Sequence, residues 1–159
     1  SLGVGTSFFF TVTFKKFLQD PYTGKQVTSP QEKTTSQKKI KLLLVEDVVE
    51  NKEMLVRFLV NSGGFSVETA SNGKEAVKAI KENDYDLLLM DLRMPVMDGR
   101  EAAGIVRRWK EPRFQSLPIV ALTADDFDIN HEPDFTDVIL KPFSPRELQS
   151  TIIDILSKD

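Results

Sequence analysis

Five polar side chains come directly after short apolar runs of the sequence. They are Glu46 and Asp47 after one run, and Asp91, Thr123 and Lys141 after three later runs. Carboxylates bind hard cations or attack phosphorus, and a hydroxyl and an ammonium group can hold phosphoryl oxygens. Taken alone, each could be a cap or a loop residue, and Asp47 could cap the helix that follows it. Because several occupy corresponding positions, we favour a shared site.

Three carboxylates gathered at one place would repel one another. Two unit charges about 4 Å apart cost about 4 kcal/mol at an effective dielectric of about 20. Either a proton is retained or a divalent cation lies among the oxygens, and a few carboxylates completed by waters suit Mg²⁺ better than Ca²⁺. With the cation in place, Asp91 could attack phosphorus as an aspartyl nucleophile. Lys141 and Thr123 could then hold other phosphoryl oxygens.

The apolar runs alternate with amphipathic helical patterns, which predicts how these side chains are positioned. The runs are residues 40–45, 65–70, 87–90, 119–122 and 138–140. Three of them are almost continuously apolar, as expected for strands covered by helices on both faces. We therefore predict an α/β fold with a doubly wound, five-stranded parallel sheet of the flavodoxin-like kind. The carboxyl ends of such strands share one edge, where these folds bind ligands.

The helices between these strands differ in how well the sequence supports them. The predicted inward-facing residues are Leu55, Phe58, Leu59, Ala76, Val77, Ile80, Ala102, Ile105, Val106, Trp109, Leu148, Ile152, Ile155 and Leu156. The last helix should begin with a capping box formed by Ser144 and Glu147. Between the fourth and fifth strands, several Asp residues and Pro133 make poor helical material. We therefore expect a shortened fourth helix.

Four motifs in this order resemble the receiver domains of two-component signalling. They are Val-Glu-Asp at 45–47 with Asn51, Met-Asp-Leu-Arg-Met-Pro-Val-Met-Asp-Gly at 90–99, Ala-Leu-Thr-Ala at 121–124, and Lys-Pro-Phe at 141–143. The resemblance runs from about Lys39 to the end of the chain. It implies that Asp91 is the phosphoacceptor, that Thr123 is a switch and that Lys141 precedes a cis Pro142. It also implies Glu46, Asp47, Asp91 and the Arg93 backbone carbonyl around Mg²⁺.

One position departs from the family pattern. Three residues before its lysine the family usually has an aromatic side chain that turns inward when the threonine moves, and here that residue is Val138. The usual rotor switch is therefore missing. This departure lends weight to an alternative function, a protein-docking receiver module that acts without phosphorylation.

The N-terminal part predicts a different origin. Residues 1–14 contain Gly-Val-Gly-Thr followed by an alternating, Phe-rich pattern that predicts a strand. They resemble the end of a histidine kinase ATP-binding domain. An arbitrary hairpin is the open alternative. Residues 15–38 read as a polar linker, and residues 39–159 as the receiver domain. This is the order of a hybrid histidine kinase, so we expect its C-terminal portion. Without the rest of the nucleotide pocket, it should catalyse only its own phosphoryl transfer and loss.

Composition and the family resemblance limit the partners. The resemblance implies a histidine kinase phosphohistidine as donor and a histidine phosphotransfer protein as the next acceptor. A formal net charge of −3 disfavours nucleic-acid binding. The absence of cysteine suits the cytosol, and no apolar run approaches the roughly 20 residues that span a bilayer. We expect a cytoplasmic segment without membrane contact of its own, which could belong to a membrane-bound sensor kinase.

Two other classes of protein, a phosphatase and a flavin-binding protein, fit the sequence less well than a receiver domain does. A phosphatase of the haloacid dehalogenase type needs a second Asp two residues after its nucleophile, where this chain has Arg93. A flavodoxin needs a phosphate-binding loop after the first strand, but Glu46 and Asp47 would repel phosphate there without a metal.

Overall fold

The computed structural model describes residues 39–124 and 129–158. The predicted N-terminal strand at 1–14 and linker at 15–38 lie outside the described residues, so this division of the chain stays a prediction.

The sheet has the predicted five parallel strands. They are β1 (Ile40–Val45), β2 (Phe65–Ala70), β3 (Leu87–Asp91), β4 (Ile119–Thr123) and β5 (Asp137–Leu140), in the spatial order β2-β1-β3-β4-β5. All four neighbouring pairs are parallel. β3 and β4 are buried along their whole length, because helices cover both faces of the sheet. The predicted fold class is confirmed.

Helices lie on both sides of the sheet. They are α1 (Val49–Asn61), α2 (Gly73–Glu82), α3 (Gly99–Arg107), α4 (Pro112–Ser116) and α5 (Pro145–Leu156). Successive strand residues point to opposite faces, so Leu42 and Leu44 pack in the core with α1 and α5, whereas Leu43 and Val45 pack in the core with α2 and α3. Within the described ranges, no helix combines the length and apolarity needed to cross a membrane.

The segment between β4 and β5 confirms that the helix expected there, the fourth in the prediction, is shortened. Its described part contains a 3₁₀ helix of three residues, Ile129–His131. The sequence did not predict α4, which precedes β4. It begins with Pro112 and buries Phe114 edge-on against Trp109, with ring centroids 4.5 Å apart. Five residues are too few to show a helical period, which explains the omission.

The predicted capping box at the start of α5 is present. The Glu147 N–H donates to Ser144 Oγ at 3.2 Å, and the Ser144 N–H donates to Glu147 Oε2 at 3.4 Å. These bonds satisfy two backbone donors at the helix start. They fix where α5 begins, four residues after Lys141.

Candidate functional site

The residues proposed for chemistry lie at the carboxyl edge of the sheet. Glu46 and Asp47 directly follow β1, Asp91 ends β3, Thr123 ends β4, and Lys141 directly follows β5. β1, β3, β4 and β5 are consecutive neighbours in the sheet, so their ends are adjacent. This is the edge at which doubly wound sheets bind ligands.

Three carboxylates form a cluster at this edge. One oxygen each of Glu46, Asp47 and Asp91 lies within 4.8 Å of the others. Glu46 is 1% exposed and Asp91 is 8% exposed, and Asp47 is half-buried. Burial reduces the screening of their repulsion by water, so the cluster requires positive charge nearby.

Lys141 supplies part of that charge. Its Nζ lies 2.6 Å from Asp91 Oδ2 and 2.9 Å from Glu46 Oε2. Burial alone would lower the pKa of Lys141, but hydrogen bonds and charge interactions with Asp91 and Glu46 outweigh that effect and raise the pKa. Lys141 is therefore an ammonium ion at neutral pH. One ammonium ion can offset the charge of only one of the three carboxylates, so the cluster can accommodate another cation.

Local backbone structure holds Asp91 and Lys141. Asp91 Oδ1 accepts a hydrogen bond of 3.0 Å from the Arg93 N–H, while the Arg93 side chain is exposed. The Lys141 N–H donates to the Thr123 carbonyl at 2.7 Å, and the peptide bond before Pro142 is cis, as the resemblance implied. Thr123 itself is 2% exposed. The Leu92 N–H also donates to the Leu122 carbonyl at 3.4 Å, so main-chain bonds join the end of β4 to the ends of β3 and β5.

The loop from β3 to α3 requires glycine at its end. A Cβ atom on Gly99 would lie 2.3 Å from the Asp91 carbonyl oxygen, so only glycine lets α3 begin this close to the strand. Asp98 caps α3 by accepting from the Glu101 N–H at 2.8 Å. Val96, in the same loop, has a φ of 72° and is 78% exposed.

The start of α1 shows that Asp47 does not cap this helix. The N-cap residue is Val48, and its side chain makes no capping hydrogen bond. Instead, Glu46 Oε1 accepts from the Val48 N–H at 3.3 Å and from Asn51 Nδ2 at 3.2 Å. Sequence reasoning included Asn51 in a motif without giving it a role. The signal available was its position one helical turn after the acidic pair.

A cavity of about 230 Å³ opens beside the cluster. Its polar lining residues are Glu46, Asn51 and Lys141, and its apolar lining residues are Met54, Leu55, Pro142 and Phe143. On the opposite side of the sheet, Val138 is partly buried in the core that contains α3. Its short side chain fills the position for which the family pattern has an aromatic ring.

The donor set fits a small hard cation. Carboxylate oxygens are the ligands that Mg²⁺ and Ca²⁺ prefer, and Mg²⁺ sites typically combine one or two carboxylates with waters. The half-buried Asp47 and the cavity beside the cluster provide access from solvent. The arrangement can hold a divalent cation beside a carboxylate that is paired with a lysine.

Comparison with known proteins shows the family of this chain. The protein-family model described as "Response regulator receiver domain" matches residues 42–153 of this chain. The sensor histidine kinase GacS of Pseudomonas protegens is 32% identical over 148 residues, covering 90% of this chain and 16% of that protein. A CpxR homolog of Haemophilus influenzae, a transcriptional regulatory protein, is 38% identical over 122 residues, covering 74% of this chain and 51% of that protein. The chain therefore spans only part of the length of either relative.

Solved structures with the same fold include two receiver proteins. The receiver domain of a sensor histidine kinase from Pseudomonas aeruginosa, described with a magnesium ion coordinated in its active site cleft, has a TM-score of 0.66 and 31% identity. The match covers 75% of this chain and 98% of that chain. The chemotaxis response regulator CheY4 of Vibrio cholerae has a TM-score of 0.65 and 29% identity over 74% of this chain and 98% of that one.

Proposed function

Because this chain belongs to the response regulator receiver domains of two-component signalling, we propose that it accepts a phosphoryl group on Asp91 with Mg²⁺ as cofactor. One observation carries the proposal. The Asp91 carboxylate lies within 4.8 Å of two other carboxylates and contacts the Lys141 ammonium, so a nucleophile, a cation site and a positive charge are adjacent.

We assign the metal to Glu46, Asp47, Asp91 and the backbone carbonyl of Arg93. When bound, Mg²⁺ neutralises negative charge on the transferring phosphoryl oxygens. Asp47 is half-buried, whereas Glu46 is buried and lies beside Lys141. The support for Mg²⁺ is the donor chemistry of the cluster and the magnesium ion described for the relative from Pseudomonas aeruginosa.

In the proposed reaction, an Asp91 carboxylate oxygen attacks the phosphorus of a phosphohistidine. The O–P bond forms as the P–N bond breaks, and the imidazole nitrogen leaves with the bonding electron pair. Lys141 then exchanges its contact with Asp91 for a phosphoryl oxygen. The buried Thr123 ends the neighbouring strand, and its hydroxyl donates to another phosphoryl oxygen.

We propose a histidine kinase phosphohistidine as donor and a histidine phosphotransfer protein as next acceptor. The support is the similarity to a sensor histidine kinase across 90% of this chain. In this proposal, residues 39–159 are the receiver domain of a hybrid sensor histidine kinase. They follow a remnant of the ATP-binding domain at 1–14 and a linker at 15–38, and they relay phosphoryl groups in the cytoplasm.

A phosphorylation-independent docking module is the second candidate. Val138 favours it, because a partly buried valine cannot perform the swing of an aromatic ring. In this alternative, the domain would bind its partner equally well with and without a phosphoryl group on Asp91.

Intact-mass measurement separates the two candidates. We expect incubation with acetyl phosphate and Mg²⁺ to add one phosphoryl group, and chelation of the metal to prevent it. The Asp91→Asn variant should gain none, while Asp154→Asn, a change of an exposed carboxylate on α5, should react like the parent protein. A parent protein that never gains mass under these conditions would favour the docking module.

A further inference from the structure

The Glu46 carboxylate is held from two sides. Lys141 Nζ contacts Oε2 at 2.9 Å, and the Val48 N–H and Asn51 Nδ2 both donate to Oε1. Because Glu46 is 1% exposed, these three donors take the place of the water that would solvate its carboxylate outside the fold. Rotation of the carboxylate would therefore break at least one of these bonds, so its orientation is fixed.

Asn51 is suited to this position in a way that a charged residue is not. Only its NH₂ group can pair with an ionised carboxylate, so the amide has a defined orientation. It donates a hydrogen bond without adding a positive charge that would compete with a cation. It reaches Glu46 from the first turn of α1, and it also lines the cavity beside the cluster.

We propose that Asn51 is a positioning residue that orients Glu46 for divalent-cation binding, an inference that rests on the proposed function of the cluster. Asn51 strengthens Mg²⁺ binding by keeping Oε2 of Glu46 directed toward Lys141 and Asp91. The structure gives Asn51 a hydrogen bond to Glu46 and none to the acceptor Asp91. Asn51 therefore affects the affinity for the metal and leaves the reactivity of Asp91 at saturating metal unchanged.

Calorimetric titration of the unphosphorylated protein with Mg²⁺ tests this role directly. Asn51→Ala should raise the dissociation constant about tenfold, as is typical when a group that orients a metal ligand is removed. Asn61→Ala, at the exposed opposite end of α1, is the matched control and should leave the constant unchanged.

The Mg²⁺ dependence of phosphorylation gives a second readout. With acetyl phosphate as donor, the Mg²⁺ concentration for half-maximal rate should rise about tenfold in Asn51→Ala, by the same reasoning. The rate at saturating Mg²⁺ should stay at the level of the parent protein. Asn51→Gln keeps the amide at an exposed position with space for one more methylene, and it should recover part of the affinity.

Equal Mg²⁺ affinities of the parent protein and Asn51→Ala would overturn the inference. A lowered maximal rate at unchanged affinity would also overturn it. If the alanine variant fails to fold, the isosteric Asn51→Leu carries the same expectation. A parent protein that binds no Mg²⁺ would overturn the proposed function and this inference together, whereas equal affinities would overturn the inference alone.

Discussion

Lys141 Nζ lies 2.6 Å from Asp91 Oδ2, across 50 positions of sequence. The proposed phosphoryl acceptor therefore has a fixed counter-ion before any metal or phosphoryl group arrives. The same ammonium contacts Glu46, so it ties the end of β1 and the end of β3 to the loop after β5.

Removal of this counter-ion should destabilise the domain in the absence of metal. Lys141→Ala leaves two buried carboxylates without their ammonium counter-ion, and we expect a loss of about 1–3 kcal/mol, below the usual cost of breaking a buried pair because Lys141 is partly exposed. Saturating Mg²⁺ should restore more stability to the variant than it adds to the parent protein. Thermal unfolding with and without Mg²⁺ measures both effects.

Lys52→Ala is the control for that experiment. Lys52 Nζ donates to Ser71 Oγ at 2.8 Å rather than to a carboxylate of the acidic cluster. Its variant should respond to Mg²⁺ as the parent protein does. Equal stabilisation of Lys141→Ala and the parent protein by Mg²⁺ would contradict the charge argument.

Gly99→Ala should disturb the acceptor strand. The new methyl group would meet the Asp91 carbonyl oxygen at 2.3 Å, and main-chain atoms cannot move aside cheaply. We expect a loss of about 1–3 kcal/mol in urea unfolding. In Gly104→Ala, in the same helix, the new methyl group would meet the Asp134 side chain at 3.4 Å, an ordinary contact distance, and the variant should gain up to about 1 kcal/mol. Similar results for the two variants would show that the close approach is unimportant.

Much of this architecture could be predicted from the sequence, because strands that are buried on both faces appear as short, nearly continuous apolar runs. β1 and β2 have their predicted bounds, while β3, β4 and β5 each gain one polar residue, at Asp91, Thr123 and Asp137. Hydropathy excludes these residues from a strand, but backbone pairing includes them. The positions of the five polar residues could be predicted, because they follow from where the strands end. The hydrogen bond from Asn51 to Glu46 could not, because it depends on side-chain directions at the start of α1.

Val96→Asn should stabilise the domain. A β-branched residue at a φ of 72° is strained, and asparagine tolerates this left-handed region better. Val96 is 78% exposed, so little packing is lost, and we expect a gain of about 1 kcal/mol in urea unfolding. Val60→Asn, at an exposed helical position, tests the same side-chain change without the strain and should be close to neutral. A loss of stability in Val96→Asn would show that the valine has contacts worth more than the strain.

Tyr85 and Glu68 should contribute stability that depends on pH. Burial, followed by the hydrogen bond to Glu68, raises the pKa of Tyr85, and that bond together with Lys41 lowers the pKa of Glu68. The carboxylate contribution is present above the ordinary Glu pKa of 4.5 and is lost as the pH falls through the lowered value. The phenol contribution is present below the ordinary Tyr pKa of 10.0 and is lost as the pH rises through the raised value.

Tyr85→Phe should therefore be less stable than the parent protein between these limits. Because Glu68 is largely exposed, we expect a difference below about 1 kcal/mol. The difference should shrink in acid below the Glu68 transition and in alkali as Tyr85 ionises. Urea unfolding across this pH range measures it, and a difference independent of pH would exclude the hydrogen bond as its cause.

The most direct test of the central claim is to identify the residue that carries the phosphoryl group. Borohydride reduces an acyl phosphate of aspartate to homoserine, which peptide mass spectrometry can assign to a position. After reaction with acetyl phosphate and Mg²⁺, we predict homoserine at position 91 in the parent protein and none in Asp91→Asn. Homoserine at another carboxylate, with Asp91 intact, would contradict the assignment of Asp91 as the acceptor.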